Sequence, residues 1–128
     1  MKRFTDNGDG TVTDTLTGLM WTKATVATGK THKQAIAAAK KLDVAGHKDW
    51  RMPTVEELFL LADRSRIRPA IDVEAFPDTQ NDWYWTSTDS AWAPSCAWIV
   101  SFSGGSASSG GRNYKACVRA VRVVSAGQ

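Results

Sequence analysis

The fold is decided by the stretch from residue 83 to residue 122, which reads WYWTST (83–88), then AWIVSF (97–102), then YKACVRAVR (114–122). These three runs are rich in aromatic and β-branched residues, which suit a pleated, half-buried surface. We therefore predict three neighbouring strands. Between the second and third runs lies SGGSASSGGRN (103–113), which carries no helix or strand signal and is predicted to be a loop. This loop is either a recognition surface held by the strands or an inert connection.

The composition is typical of one small domain, residues 1–128, built on large aromatic side chains. Of the 128 residues, 42% are hydrophobic and six are tryptophan, and the formal net charge is +3. This charge is spread along the chain without an arginine or lysine tract, which argues against a nucleic-acid-binding protein. The lysines Lys30, Lys33, Lys40 and Lys41 are interpreted as a solvated face rather than a binding patch. No segment approaches the ~20 apolar residues of a membrane span, so we expect no membrane insertion.

The start of the chain, MKRFTDNGD (1–9), lacks the apolar region of a secretory signal. Two explanations stay open: a native start with export by another route, or an excised domain. A virion structural protein would also lack a signal. An extracellular or virion-surface location is favoured, and the residues from Ser125 to Gln128 are expected to form a frayed tail.

The two cysteines, Cys96 and Cys117, lie in predicted strands or at their ends. If those strands pair, a disulfide is sterically allowed and would add roughly 3 kcal/mol of stability. The alternative is two buried free thiols, as in a reducing compartment. The cysteines and the two distant histidines do not have zinc-finger spacing, so no zinc site is expected.

Four residues near the N-terminus have side chains that suit calcium: Asp6, Asn7, Asp9 and Asp14. Their order does not match the spacing of a calcium-binding loop, and no glutamate closes it. Asn-Gly and Asp-Gly are strong hairpin turn signals because both tolerate positive φ. We therefore predict a hairpin between residues 3–6 and 11–14, and no cofactor.

Two helices are predicted from their first turns. Thr31 with Gln34, and Thr54 with Glu57, each have the spacing of a capping box, and Gly46 is expected to end the first helix. The apolar stripe of the first helix is Ala35, Ile36, Ala38, Ala39 and Leu42, and that of the second is Val55, Leu58, Phe59, Leu61 and Ala62. The histidines His32 and His47 are assigned to surface or linker positions.

Several other side chains are assigned structural roles. In a long ordered loop over residues 65–82, inward positions are predicted for Ile71, Val73 and Phe76. Leu19, Met20 and Trp21 are read as a short buried strand. Packing roles are expected for Trp21, Trp50, Trp85 and Trp98, and hydrogen bonds or ion pairs are expected to hold Arg51, Arg119 and Arg122.

Six short motifs now stand in a fixed order: DGTVTD (9–14), TGLMW (17–21), WRMPT (50–54) with Glu57 and Leu58, YWTST (84–88), AWIVSF (97–102) and VRAVR (118–122). This order resembles the Lcl C-terminal domain family over nearly the whole chain. The resemblance implies an α+β fold of the C-type-lectin-like type, related to formylglycine-generating-enzyme-like and retroelement variable proteins. In that fold small twisted antiparallel sheets carry two flanking helices, the N- and C-terminal strands pair, and late loops present a binding face.

Members of this family resemble binding modules, either surface adhesins that hold acidic glycans or receptor-binding tips. By that resemblance the partner is an acidic glycan or a protein receptor. The candidate ligand-binding residues are Trp83, Asp89, Trp92, Arg112, Asn113, Tyr114 and Lys115. Exposed aromatic rings stack on sugars or anchor a protein partner, and cationic side chains contact sulfate or carboxylate groups. For Trp83 and Trp92, core packing is the alternative.

Two other functional classes are weighed against glycan or receptor binding. The first is a structural component of a virion or surface fibre, which would use the same face for subunit contacts in a homo-oligomer such as a trimer. The second is an enzyme. Because no nucleophile–base pair, metal cluster or phosphate-binding loop is visible in the sequence, we expect a non-enzymatic protein.

Overall fold

The computed structural model describes residues 3–124, so the expected tail at 125–128 lies outside the described residues. The secondary structure is α+β, as predicted. In chain order the elements are β1 (Phe4–Asp6), β2 (Thr11–Asp14), β3 (Leu19–Thr22), β4 (Ala27–Lys30), α1 (His32–Lys40), α2 (Val55–Leu61), β5 (Trp83–Asp89), β6 (Cys96–Ser101), β7 (Ala107–Gly111), β8 (Ala116–Val118) and β9 (Val121–Val123). None of the helices within residues 3–124 is long and apolar enough to cross a membrane.

The first sheet has the strand order β1-β2-β3-β9, and all its strands are antiparallel. The predicted hairpin between β1 and β2 is confirmed. The predicted pairing of terminal strands needs correction, because β9 joins the N-terminal sheet beside β3 rather than beside β1. All four residues of β3 are buried. Such a strand needs a neighbour on each side to satisfy its backbone groups, and β9 supplies the second.

The second sheet has the strand order β4-β8-β5-β6-β7, with β5 and β8 parallel and the other pairs antiparallel. The prediction that the three late apolar runs lie side by side is confirmed for β6, β5 and β8. Two edge strands were not predicted. One is β4, and the other is β7, which lies inside the expected loop 103–113. At Gly110 a Cβ would stand 3.0 Å from Ile99 Cδ1, so a glycine lets β7 lie close against β6.

Apolar side chains form two cores on the opposite faces of the late strands. Tyr84, Val100 and Phe102 belong to the first core with α2, whereas Trp85 and Ile99 belong to the second core with α1. This alternation is the one that the two-residue period of a strand predicts, with Val100 and Phe102 on one face of β6 and its continuation, and Ala97 and Ile99 on the other. The assigned packing tryptophans Trp21, Trp50 and Trp85 are buried and Trp98 is half-buried.

Both helices begin with the predicted capping boxes, Thr31 with Gln34 and Thr54 with Glu57. The end of α1 differs from prediction. The helix finishes at Lys40 with Lys41 as its C-cap, and Gly46 (φ +78°) lies in a later turn. The apolar stripes are only partly covered, since Ile36 and Phe59 are each 37% exposed. The stripe positions that face the cores are Ala35, Ala39, Leu58 and Leu61.

The long segment between α2 and β5 is held against the second sheet. Ala70 donates a backbone hydrogen bond to Phe102 (2.6 Å), and Arg68 donates one to Ser103 (2.9 Å). As predicted, Ile71 and Phe76 are buried. The prediction for Val73 is wrong, because this side chain is 41% exposed on the turn that follows Asp72.

Arg119 is fully buried and joins three parts of the chain. Its Nη1 donates to the carbonyl oxygens of Thr22 (2.7 Å) and Lys23 (3.0 Å), and its Nη2 donates to Thr79 Oγ1 (2.9 Å). Its guanidinium carbon lies 4.8 Å from the centre of the Phe76 ring. Within residues 3–124 it has no carboxylate partner at salt-bridge distance, and burial lowers the pKa of its guanidinium. Neutral oxygens and an aromatic face therefore stabilise this cation.

The other two arginines assigned to hydrogen bonds also have partners. Arg51 makes a two-pronged ion pair with Glu57, at 2.8 Å for each bond. Arg122 makes one with Asp49, at 2.7 and 3.2 Å. Such paired contacts fix the orientation of a guanidinium as well as its position. They attach the segment around residue 50 to α2 and to β9.

We predict that Arg119→Lys destabilises the protein by about 2–4 kcal/mol, because an ammonium group keeps the charge but cannot reach all three acceptors. Urea unfolding followed by circular dichroism would measure this loss. The matched control is Arg66→Lys, in a largely exposed pair with Asp63, where we expect a change within about 0.5 kcal/mol. Equal stability of the two variants would contradict the role given to Arg119.

Candidate functional site

The loop between β5 and β6 carries the most exposed large apolar side chain of the described chain. Trp92 is 93% exposed. The loop is closed at its base by the backbone bonds Ser90 N–H to Cys96 O (3.2 Å) and Cys96 N–H to Ala93 O (2.9 Å). A tryptophan at this exposure contributes little to the core, so the alternative of core packing is wrong for Trp92.

Arg112 attaches this loop to the rest of the protein. It follows β7 directly, and its side chain makes three hydrogen bonds: Nη2 to Asp89 Oδ1 (2.8 Å), Nε to the carbonyl oxygen of Pro94 (3.0 Å) and Nη1 to His32 Nδ1 (2.9 Å). Its backbone N–H donates to the carbonyl of Ser95 at 3.0 Å. One guanidinium therefore joins the end of β5, the Trp92 loop and the start of α1.

His32 is the inner partner of Arg112. It is 4% exposed and lies edge-on against Trp85, with the ring centres 4.9 Å apart. Its Nε2 is 2.9 Å from the carbonyl oxygen of Thr86. Since a carbonyl only accepts, the proton is assigned to Nε2, and Nδ1 accepts from Arg112. The assignment of His32 to a surface or linker position is therefore wrong.

Burial and then the neighbouring guanidinium of Arg112 lower the pKa of His32, while the Thr86 carbonyl and Asp89 oppose them. The hydrogen bond and charge of Arg112 lower the pKa of Asp89. At neutral pH the His32 imidazole is therefore neutral. It lies between the Arg112 guanidinium and the Thr86 carbonyl, and the Asp89 carboxylate binds Arg112 from the exposed side. Asp89 offsets part of the charge of Arg112. We therefore assign Arg112 to holding the loop in place rather than to binding an anion.

Two of the candidates, Trp83 and Asp89, lie at opposite ends of β5. Trp83 is half-buried against the second core. It pairs with Ser101, whereas Asp89 pairs with Ala97. Because these partners are four residues apart on β6, Trp83 and Asp89 are separated by about 13 Å along the sheet. Trp83 therefore does not belong to the Asp89–Arg112 group, and the sequence-based set divides between the two ends of β5.

The segment 112–115 runs between these two ends, since Arg112 bonds to Asp89 and Cys117 pairs with Tyr84 near the start of β5. Asn113, Tyr114 and Lys115 are exposed. Within residues 3–124 their side chains make no hydrogen bond or ion pair. They are thus available to a ligand, and Tyr114 is 45% exposed.

Two lysines missed by the sequence-based site lie beside this segment. Lys30 is paired through its backbone with Ala116, the residue after Lys115, and Lys33 lies in the first turn of α1 next to His32. Lys30, Lys33 and Lys115 have no ion-pair partner among the described residues, and the first turn of α1 carries no acid. Nothing local in the sequence distinguishes Lys30 and Lys33 from Lys40 and Lys41, because the position of Lys30 beside this segment depends on the long-range pairing of β4 with β8.

Cys96 and Cys117 are both free thiols. They lie on β6 and β8, which are separated by β5. Two strand spacings alone amount to about 9.6 Å, which is beyond the ~7 Å limit for bridged Cα atoms. The disulfide alternative is therefore overturned. Burial and the nearby Asp82 carboxylate raise the pKa of Cys117 to about 12.

The four N-terminal side chains considered for calcium instead stabilise the hairpin and its surroundings. Asp6 accepts from Gly8 N–H and pairs with Lys23 (2.6 Å), Asn7 donates to Thr11 (2.9 Å), and Asp14 pairs with Arg3 (2.8 Å). Asp9 accepts from the N–H of Thr11 at 3.1 Å. Among residues 3–124 there is no group of three or more His, Cys, Asp or Glu side chains arranged to hold a metal ion.

Comparison with known proteins places this geometry in a family. The family model of the Lcl C-terminal domain matches residues 10–122, which is nearly the whole chain. The match includes all the strands from β2 to the first residues of β9, both helices and every candidate site residue. No curated protein matches the chain.

We predict that stability falls as the pH drops below about 6.5, in part because of His32. Its pKa is lowered in the folded state, so between the folded value and about 6.5 the unfolded chain binds more protons, and acid favours unfolding. Urea unfolding between pH 7 and 5.5 would measure the slope. His32→Gln should flatten it. Equal slopes for wild type and His32→Gln would contradict the neutral buried state.

We also predict different reactivities for the two thiols. A thiol reagent should label Cys96 in the native protein and Cys117 only after unfolding, because the Cys117 thiol is buried and its pKa is raised. Mass spectrometry of labelled peptides would identify the modified residue. Rapid native labelling of Cys117, or a mass two hydrogens lower without reductant, would show the assignment to be wrong.

Proposed function

Because the chain belongs to the Lcl C-terminal domain family, we propose that it is a non-enzymatic ligand-binding module of a phage or bacterial surface protein. The proposed ligand is an acidic glycan or a surface protein, and the proposed binding face comprises the Trp92 loop and the segment 112–115. The observation that carries the proposal is Trp92, which is 93% exposed on a loop that Arg112 binds at the carbonyl oxygens of Pro94 and Ser95.

An exposed Trp92 side chain on a loop held by hydrogen bonds suits ligand binding for an entropic reason. A flexible loop loses conformational entropy on binding, whereas a loop already held by a guanidinium loses little. Tryptophan has a large flat face with one N–H donor, so it stacks on sugar rings and also anchors protein partners. The brace at Arg112 therefore supports binding without itself touching the ligand.

The charge around the segment 112–115 favours an anion. Lys30, Lys33 and Lys115 have no carboxylate partner within residues 3–124, so their positive charges are not neutralised locally. Sulfate or carboxylate groups spaced along a glycan would meet these ammonium groups in turn. Binding of this kind weakens as salt is added, because exposed charges are screened.

We propose further that the fold is of the C-type-lectin-like type. Three features support it: two helices placed on either side of the late strands, a C-terminal strand returned to the N-terminal sheet, and a β5–β6 loop at the same end of the second sheet as the start of the β7–β8 connection. In such a fold the late connections form the ligand-binding face. That position agrees with the face proposed here.

A second candidate function is assembly into a virion or surface fibre. It is favoured by β7, an edge strand of Ala, Ser and Gly without the charge or proline that usually protects an exposed edge. Analytical ultracentrifugation would separate the two functions. A monomer with accessible Trp92 favours ligand binding, and a stable oligomer such as a trimer, with Trp92 fluorescence shielded from quenchers, favours assembly.

For acidic glycans, we predict that Lys115→Ala elutes from a heparin column at lower salt than wild type and weakens binding three- to tenfold, about 1 kcal/mol. The matched control is Lys40→Ala, an exposed lysine about 12 Å further along α1 from His32. Trp92→Ala should also weaken retention without lowering the stability measured by urea unfolding. Elution of Lys115→Ala and Trp92→Ala together with the Lys40→Ala control would contradict glycan binding at this face.

A further inference from the structure

The outer edge of the first sheet is open at β1. This strand has β2 on one side and, among residues 3–124, no strand on the other. Arg3 O accepts from Thr15 N–H (2.8 Å) and Asn7 N–H donates to Thr11 O (3.1 Å), so residues 3, 5 and 7 direct their backbone groups towards β2. By the alternation of an antiparallel ladder, Phe4 and Asp6 direct theirs outwards. Four main-chain groups therefore lie along the open edge.

This edge forms one wall of a groove. A cavity of about 590 Å³ lies between residues 3–6 and a turn that contributes Asp72, Glu74 and Ala75. It continues into a second cavity of about 360 Å³, which shares Arg3, Phe4 and Asp72 and is bounded by residues 61–64. The floor includes Phe4, whose ring packs edge-on against Phe76 at 5.2 Å. The lining that the two cavities share places both of them along β1.

The groove carries unbalanced negative charge on the wall opposite β1. Asp72 Oδ1 accepts the backbone N–H groups of Glu74 (3.0 Å) and Ala75 (3.2 Å). Within residues 3–124, Asp72 and Glu74 have no cationic partner at salt-bridge distance. The described lining holds two cations: Arg3 is already engaged by Asp14 and by the carbonyl of Leu60, and Arg64, in the second cavity, lies over the Phe59 ring at 3.8 Å. A cationic side chain entering the groove would therefore meet two available carboxylates.

We propose that this groove binds an extended peptide segment rich in lysine or arginine, which adds a strand to β1. Its backbone pairs with the N–H and C=O groups of Phe4 and Asp6, and its basic side chains reach Asp72 and Glu74. Strand addition of this kind draws affinity from main-chain hydrogen bonds and specificity from side-chain pockets. A second copy of this chain fits less well, because pairing of two β1 edges would bring two acidic walls together.

The test uses fluorescence anisotropy with two labelled heptapeptides, one alternating lysine with valine and the other alternating glutamate with valine. We expect the lysine peptide to bind, the glutamate peptide to bind at least tenfold more weakly, and added salt to weaken the lysine complex. In Asp72→Asn/Glu74→Gln, which keeps the turn-capping oxygen, affinity for the lysine peptide should fall about tenfold. Lack of binding by the wild type, or equal affinity for both peptides, would overturn the proposal.

A backbone variant tests the mode of binding. Phe4→Pro removes an outward backbone N–H that the β1–β2 ladder does not use. Phe4→Leu keeps that backbone N–H and an apolar side chain. We expect Phe4→Pro to bind the lysine peptide at least tenfold more weakly than Phe4→Leu. In the wild type, hydrogen exchange at the Phe4 and Asp6 amides should slow on peptide binding while the Thr5 amide stays unchanged. Equal binding by the two variants, with unchanged exchange at Phe4 and Asp6, would overturn strand addition.

Lys115→Ala separates this groove from the proposed glycan-binding face. Its affinity for the lysine peptide should equal that of the wild type, because Lys115 lies on the second sheet's connections and the groove lies at the edge of the first sheet. A loss of peptide binding in Lys115→Ala would assign the peptide to the other face and overturn the proposal.

Discussion

The two sheets are joined through one buried cation. The guanidinium of Arg119 holds the backbone carbonyls of Thr22 and Lys23 at the end of β3 and the hydroxyl of Thr79 in the segment before β5. A charge in a protein interior is costly unless it is compensated, and here neutral oxygens bind Nη1 and Nη2 while the guanidinium lies over the Phe76 ring. Among the described residues Nε has no hydrogen-bond partner. Since Arg119 lies between β8 and β9, the same contacts fix where the chain passes from the second sheet to the first.

A second guanidinium organises the exposed side of the molecule in a related way. Arg112 also binds two neutral acceptors, the carbonyl oxygen of Pro94 and Nδ1 of His32. Unlike Arg119, it also binds an exposed carboxylate, that of Asp89. Its planar set of donors suits three partners at once, which an ammonium group could not match. On the buried side of Arg112, His32 makes a further hydrogen bond to the backbone carbonyl of Thr86 in β5. The exposed Trp92 loop is therefore attached to the core by a continuous chain of hydrogen bonds.

Although the net charge of the chain is only +3, its charged residues form two surfaces of opposite charge. Lys30 and Lys115 gather beside the late connections of the second sheet, whereas Asp72 and Glu74 line the groove at the edge of the first. Each group lacks local partners of opposite charge within residues 3–124. Separation of this kind favours two partners of different chemistry, an anionic ligand at one surface and a cationic segment at the other.

Local features of the sequence determined the capping boxes at Thr31 and Thr54, the β1–β2 hairpin and the alternating faces of the late strands, because each depends on residues a few positions apart. Features that depend on distant partners were decided only by the tertiary structure. The strand β7 forms because β6 offers it a free edge, not because ASSGG favours a strand. Burial of His32 depends on Arg112 and Thr86, and separation of Cys96 from Cys117 depends on β5 lying between them. The order of strands in a sheet has no short-range signal in the sequence. Contacts between residues on different strands are therefore known only from the folded structure.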